Sequence, residues 1–298
     1  MGLYIHSTGL SSVDATVDSI SHSAAAARAC LEQAGLAVGD VDFLVNVGVF
    51  RHHNMCEPSV CALIQHALEM SPDIRKFPGT REVFSFDLNN GACGLLNAVT
   101  VLRAMLTTRR KEYALIVAAD CPPSGQPDPT FPITPLGSAM LLRLAPGDRG
   151  FGAVQQRTSP VAFDGQTGSC DIAVRGTKSR TTIDVVRAPD YLERLQAFAR
   201  ETANAFLDET GAQRSALRLI CSEPSETFGA QLAEGLGLHP GALLSTWKTH
   251  ADTHTSACTL GWHLARERQP LSDGERVLFV NAGGGLTVGC ALYEHVAR

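Results

Sequence analysis

The 298-residue sequence predicts an α/β fold built twice over, with strands covered on both faces by helices. Two observations carry this. A helical stretch ending Leu31-Glu32-Gln33-Ala34-Gly35, followed by the apolar run Val41 to Asn46, returns as Leu207-Asp208-Glu209-Thr210-Gly211 followed by Leu217 to Ser222. Short apolar runs such as Leu115-Ile116-Val117 alternate with helical periods, and continuous apolar strands of that kind are buried on both faces in parallel sheets. The repeat places the boundary near residue 150, giving halves 1–150 and 151–298.

In chain order, a strand near Leu3 to His6 leads quickly to a helix beginning near Val17. The strand Val41–Asn46 follows, then a helix through Gln65. From Phe84 to Leu88 alternation gives way at Gly91 to a helical period, with Leu95, Leu96, Val99, Leu102 and Leu106 on one face. Glu112–Ala119 and Glu275–Ala282 read as equivalent buried strands of the two halves. Pro122 to Pro135 holds six prolines in fourteen residues and is a loop. The Gly-, Ser- and Thr-rich stretch Thr158 to Thr181 is expected to be another.

Composition narrows the function classes. A net charge of −5 without a basic patch argues against nucleic-acid binding, because phosphate neutralisation needs clustered Lys and Arg. Nine scattered cysteines, none in CxxC spacing, suggest neither a disulfide framework nor a zinc site and fit a reducing cytosol. No apolar run approaches the ~20 residues of a membrane span, and the first basic residue, Arg28, comes late for a signal peptide. The expectation is a cytoplasmic protein with no membrane partner.

Cys93 falls where strand turns to helix, between small residues. The partial positive charge of a helix N-terminus would lower its pKa and raise its reactivity, although a buried cysteine is commonly a small hydrophobe. The segment Asp87-Leu-Asn-Asn-Gly-Ala-Cys93-Gly-Leu resembles the nucleophile segment of β-ketoacyl-ACP synthase III, in the thiolase superfamily: an Asp, small residues, Ala-Cys-Ser/Ala-Gly, then a helix. Pro58-Ser59 and the ending Asn281-Ala-Gly-Gly-Gly-Leu-Thr-Val-Gly-Cys-Ala-Leu are similar to further family segments. The resemblance implies the thiolase fold, duplicated βαβαβαββ halves in five αβαβα layers. It also implies Cys93 as nucleophile, an oxyanion hole from the amides of Cys93 and Gly284, and a dimer pairing near Phe84 to Leu88.

The family's other two motifs are altered. His-Gln-Ala-Asn is replaced by Ser222-Glu223-Pro224-Ser225, and Gly-Asn-Thr-Ser by Thr253-His254-Thr255-Ser256. His254 thus takes the position of the family's asparagine and is expected to serve as the base, with Ser222, Glu223 and Asp252 as candidates to orient it. The spacing of His250, Asp252 and His254 also admits a metal, but no further ligand cluster accompanies it, and no metal is expected. His52 and His53 follow the first-half strand on the side of the site.

Loss of the His-plus-Asn pair points to acyl transfer, of the kind found in secondary metabolism, over decarboxylative condensation. The resemblance implies an acyl-CoA or acyl-carrier-protein thioester as donor and no cofactor. The family's CoA-gripping Trp and Arg segment is missing, and Thr227 replaces the arginine that docks the carrier protein. Glu57 stands where the family often has a Phe reaching across the dimer, implying a polar acyl group or an opened pocket. A condensing enzyme and a reduced partner subunit of a heterodimer are the alternatives; a homodimer is the default.

Overall fold

A computed structural model describes residues 1–70, 82–161 and 164–297. The first half runs β1 (Gly2–Leu10), α1 (Ser19–Ala34), β2 (Phe43–Asn46), α2 (Val60–Ala67), β3 (Phe84–Asp87), α3 (Gly94–Arg109), β4 (Tyr113–Ala119) and β5 (Gly137–Ala145). The second runs β6 (Gly150–Thr158), β7 (Gln166–Ser169), α4 (Ile172–Arg175), β8 (Asp184–Arg187), α5 (Tyr191–Thr210), β9 (Leu217–Cys221), α6 (Phe228–Gly235), α7 (Trp247–His250), α8 (Ala257–Arg268), β10 (Arg276–Gly283) and β11 (Thr287–Glu294).

The duplication is visible in the sheets. One has the order β1-β5-β4-β2-β3 and the other β6-β11-β10-β9, with Leu243 bridging Leu219 of β9 where the first sheet has β3. The repeated helix ends are equivalent too: Gly35 and Gly211 cap α1 and α5 in the left-handed conformation, which glycine adopts at no steric cost. Both sheets are mixed rather than all parallel. β2 pairs parallel with β3 and β4, and β9 with β10, while β4–β5 and β10–β11 are antiparallel because no helix intervenes to carry the chain back.

Three apolar clusters fill the spaces between five layers. α1 and α2 cover the outer face of the first sheet through Ala26, Leu31, Ile64 and Leu115. α5 and α6 cover the outer face of the second through Leu195, Phe206, Leu232 and Leu278. Between the sheets lie α3 and α8, with Leu96, Val99, Leu102, Cys258 and Trp262 packed against residues of both. The stretch Gly91–Arg109 is long and apolar enough to cross a membrane by length and composition, and half of it is buried inside the protein. Its buried face, Leu95, Leu96, Val99, Leu102 and Leu106, packs between the two sheets and supplies much of that apolar composition.

The Pro122–Pro135 segment is irregular, as its prolines require. Thr158–Thr181 departs from the loop expected of it: β7 pairs antiparallel with β8, and α4 and a 3-10 turn, Gly176–Thr181, lie between them. Residues 162 and 163 of this stretch lie outside the described residues. Short strands with little apolar alternation leave no periodic signal in the sequence, so pairing with β8 decided the structure.

Candidate active site

Helix α3 points its N-terminus at the glycine turn between β10 and β11. Gly91 makes this approach possible. Its φ is +52°, and a Cβ there would stand 2.6 Å from the amide nitrogen of Gly284. The neighbouring Gly283 lies against Ala92, with 3.2 Å from the Ala92 Cβ to the place where a side chain on Gly283 would begin.

This packing sets Ala92, not Cys93, toward the site. Ala92 lines a narrow cleft with Ser222, Asp252, His254, Gly283 and Gly284. Cys93 is the N-cap of α3, is 0% exposed and does not line this cleft. Its Sγ points between the strands of the second sheet, donating to the carbonyls of Asn281 at 3.3 Å and Thr287 at 3.5 Å. Burial pushes its pKa up to about 12, only partly offset by a backbone hydrogen bond at Gly289, and so opposite to the lowering expected from the helix N-terminus. The Cys93 amide is engaged as well, donating to Asn90 O at 3.0 Å. Both roles expected of Cys93, nucleophile and oxyanion donor, are therefore corrected: neither its sulfur nor its amide faces the cavity.

A sequence signal for this existed. The family segment has one residue between its cysteine and its glycine, whereas Cys93 is followed directly by Gly94. Matching the glycines puts Ala92 in the nucleophile position.

His254 stands at the cleft. It lines the narrow cleft and also a cavity of about 540 Å³ walled by Val49, Phe50, Gly91, Gly284, Leu286 and residues of the β6–β8 region. The residue that holds it was missed in the sequence. Asp120, directly after β4 and 1% exposed, accepts from His254 Nδ1 at 2.9 Å. Nothing in the sequence around Asp120 marks it, since the pairing is made across 134 residues by the stacking of the two halves.

The electrostatics follow from this pair. Burial lowers the His254 pKa, but the charge and hydrogen bond of Asp120 and the charge of Asp252 outweigh it, so the net shift is upward. Burial raises the Asp120 pKa, and His254, Thr255 and the Phe50 amide reverse that to a net lowering. The two shifts agree in sense, each favouring the charged form of its group. Asp252 is pushed up, chiefly by burial.

Of the three orienting candidates, only Asp252 touches His254. Its Oδ1 accepts from the His254 backbone N at 2.8 Å, and His254 has a φ of +47°, a left-handed conformation that costs a β-carbon-bearing residue energy. Ser222 lines the cleft, but its Oγ accepts from the Ala282 amide at 3.1 Å. Glu223 points away, accepting from Ser245 Oγ at 2.6 Å and Thr246 N at 2.7 Å, and so fixes the chain before α7. Glu57, joined by a cis bond to Pro58, is exposed and lies outside both cavities of its own chain. His52 stacks edge-on against His53 with centroids 3.9 Å apart, outside the cavity wall. His250, Asp252 and His254 turn to separate partners, and no group of three or more metal-ligating side chains forms among the described residues.

Residues 207–295 match the family described as 3-oxoacyl-[acyl-carrier-protein (ACP)] synthase III C terminal. The chain is 24% identical over 280 residues to β-ketoacyl-[acyl-carrier-protein] synthase III of Rhodospirillum rubrum, covering 90% of this chain and 82% of that protein. With the synthase III of Anaplasma marginale identity is 22% over 292 residues, covering 90% and 81%. Among solved structures, Pseudomonas aeruginosa FabH superposes with a TM-score of 0.83 at 17% identity, covering 100% of this chain and 99% of that one. Xanthomonas campestris OleA gives 0.80 at 15% identity, covering 99% of each. The five layers, the duplicated sheets and these likenesses agree on the thiolase fold, and residues 207–295 carry the match to the synthase III C-terminal family.

Proposed function

We propose that the chain is an acyltransferase that passes an acyl group from a bound CoA or carrier-protein thioester directly to an acceptor, without an acyl-cysteine. The carrying observation is that Ala92 faces the cleft while the Cys93 sulfur is bonded inside the core. What the cleft does offer is a histidine with an anionic partner and a glycine turn.

The acceptor hydroxyl, amine or thiol gives its proton to His254 Nε2 as it attacks the thioester carbonyl. The oxyanion that forms is stabilised by the Gly284 amide on the turn. The C–S bond then breaks, and the departing thiolate takes the proton from the imidazolium. The balance is thioester plus acceptor–H giving acylated acceptor plus thiol. A single histidine suffices for this, whereas decarboxylative condensation draws on two polar groups, and Ser222 supplies only a hydroxyl.

Incubation with a panel of acyl-CoA and acyl-carrier thioesters, read by intact mass, is expected to give no adduct on the wild type. Transfer to a nucleophile is expected to fall by roughly 10²–10⁴ in His254→Ala. An adduct that disappears in Cys93→Ala overturns the proposal.

The same missing thiol favours a second reading, a partner subunit completing an intact synthase. β3 closes the first sheet as an edge strand, with Phe84 59% exposed on it, and an open edge with an exposed aromatic suits pairing with another chain or a second copy. Copurification with a second thiolase-fold chain that takes the acyl group on its own cysteine, together with no transfer by this chain alone, selects it.

A further inference from the structure

We propose that Asp120 is the positioning residue of His254, fixing the ring so that Nε2 works in the cavity; this rests on the transfer reading above. Every lone-pair direction of the carboxylate is used. Oδ1 accepts from the amides of Val49 at 2.8 Å and Phe50 at 2.7 Å. Oδ2 accepts from His254 Nδ1 at 2.9 Å, Thr255 N at 3.1 Å and Thr255 Oγ1 at 2.5 Å. One buried side chain thus joins a cavity wall from the first half to the histidine turn of the second.

The consequence for His254 is geometric. With Nδ1–H donating to the carboxylate, the lone pair of the neutral ring is on Nε2, the nitrogen left for the cavity. The backbone is held separately by Asp252, and the Phe50 ring rests against the imidazole with centroids 5.6 Å apart. Rotation about the side chain would break the Asp120 bond. The charged groups acting on the ring are Asp120 after β4, Asp252 before the histidine turn and Arg187 on β8.

The test separates positioning from a merely structural role. In Asp120→Asn, confirmed folded by circular dichroism, the His254 ring titration followed by NMR is expected to move to lower pH. Turnover should fall by roughly 10²–10⁴ while the thioester KM changes less than twofold. An unmoved titration, or a KM that rises as kcat falls, overturns the proposal. If the asparagine variant does not fold, Asp120→Glu retains the charge and is expected to keep the raised titration; a ring that then titrates as free imidazole overturns it. The titration is read without turnover, so its outcome is independent of whether the transfer reading holds.

Discussion

Cys93 and Ala92 are adjacent in sequence and face opposite sides of the helix terminus: the Cys93 sulfur donates to Asn281 and Thr287 carbonyls in the core, while Ala92 borders the cleft beside His254. A one-residue difference at a helix start turns a side chain by about 100°, enough to exchange a reactive position for a packed one.

Replacing Ala92 with cysteine should therefore restore what Cys93 does not provide. Ala92→Cys is expected to form an acyl adduct with thioesters that the wild type does not accept covalently. Intact mass before and after hydroxylamine treatment reads the thioester.

Alkylation should rank the thiols by exposure. Cys56 is exposed and Cys93 fully buried with a pKa pushed up to about 12. Brief iodoacetamide treatment of the native protein at pH 8 is expected to label Cys56 and leave Cys93 unmodified, with peptide mass mapping as the readout.

The Asp120–His254 pair makes stability depend on pH in two windows. The folded pKa of His254 is raised, so its contribution is full below the ordinary imidazole value and is lost as pH rises through the folded one. The folded pKa of Asp120 is lowered, so its contribution is present above the ordinary carboxylate value and is lost as pH falls through the folded one. Urea unfolding midpoints across pH should fall at both ends, and His254→Gln should flatten the upper limb.

Gly91→Ala should be destabilising by about 1–3 kcal/mol, from a positive φ and from the collision of the new methyl with the Gly284 amide. Chemical denaturation measures this. A change below about 0.5 kcal/mol would show that the glycine turn can move aside.

The edge of β3 offers a last test. Phe84→Lys puts a charge on the exposed strand and is expected to shift any dimer toward monomer in size-exclusion chromatography. Unchanged elution of a dimer would place the interface elsewhere.

The sequence by itself determined the layers and the duplication. Glycine-capped helices followed by apolar runs are local, periodic signals, and they recur as α1–β2 and α5–β9 in equivalent places of the two sheets. His254 and the glycine turn came into view only through the resemblance to the synthase III motifs, and the structure sets both on one cavity. Tertiary structure alone decided the rest. Which of Ala92 and Cys93 meets the cleft depends on how Gly91 packs on Gly284, a contact between ends of the chain. The choice of Asp120 over Ser222 and Glu223 depends on two halves stacking so that a strand end from one reaches the histidine turn of the other. Side-chain direction and long-range pairing carry no local period, and they set the chemistry of this site.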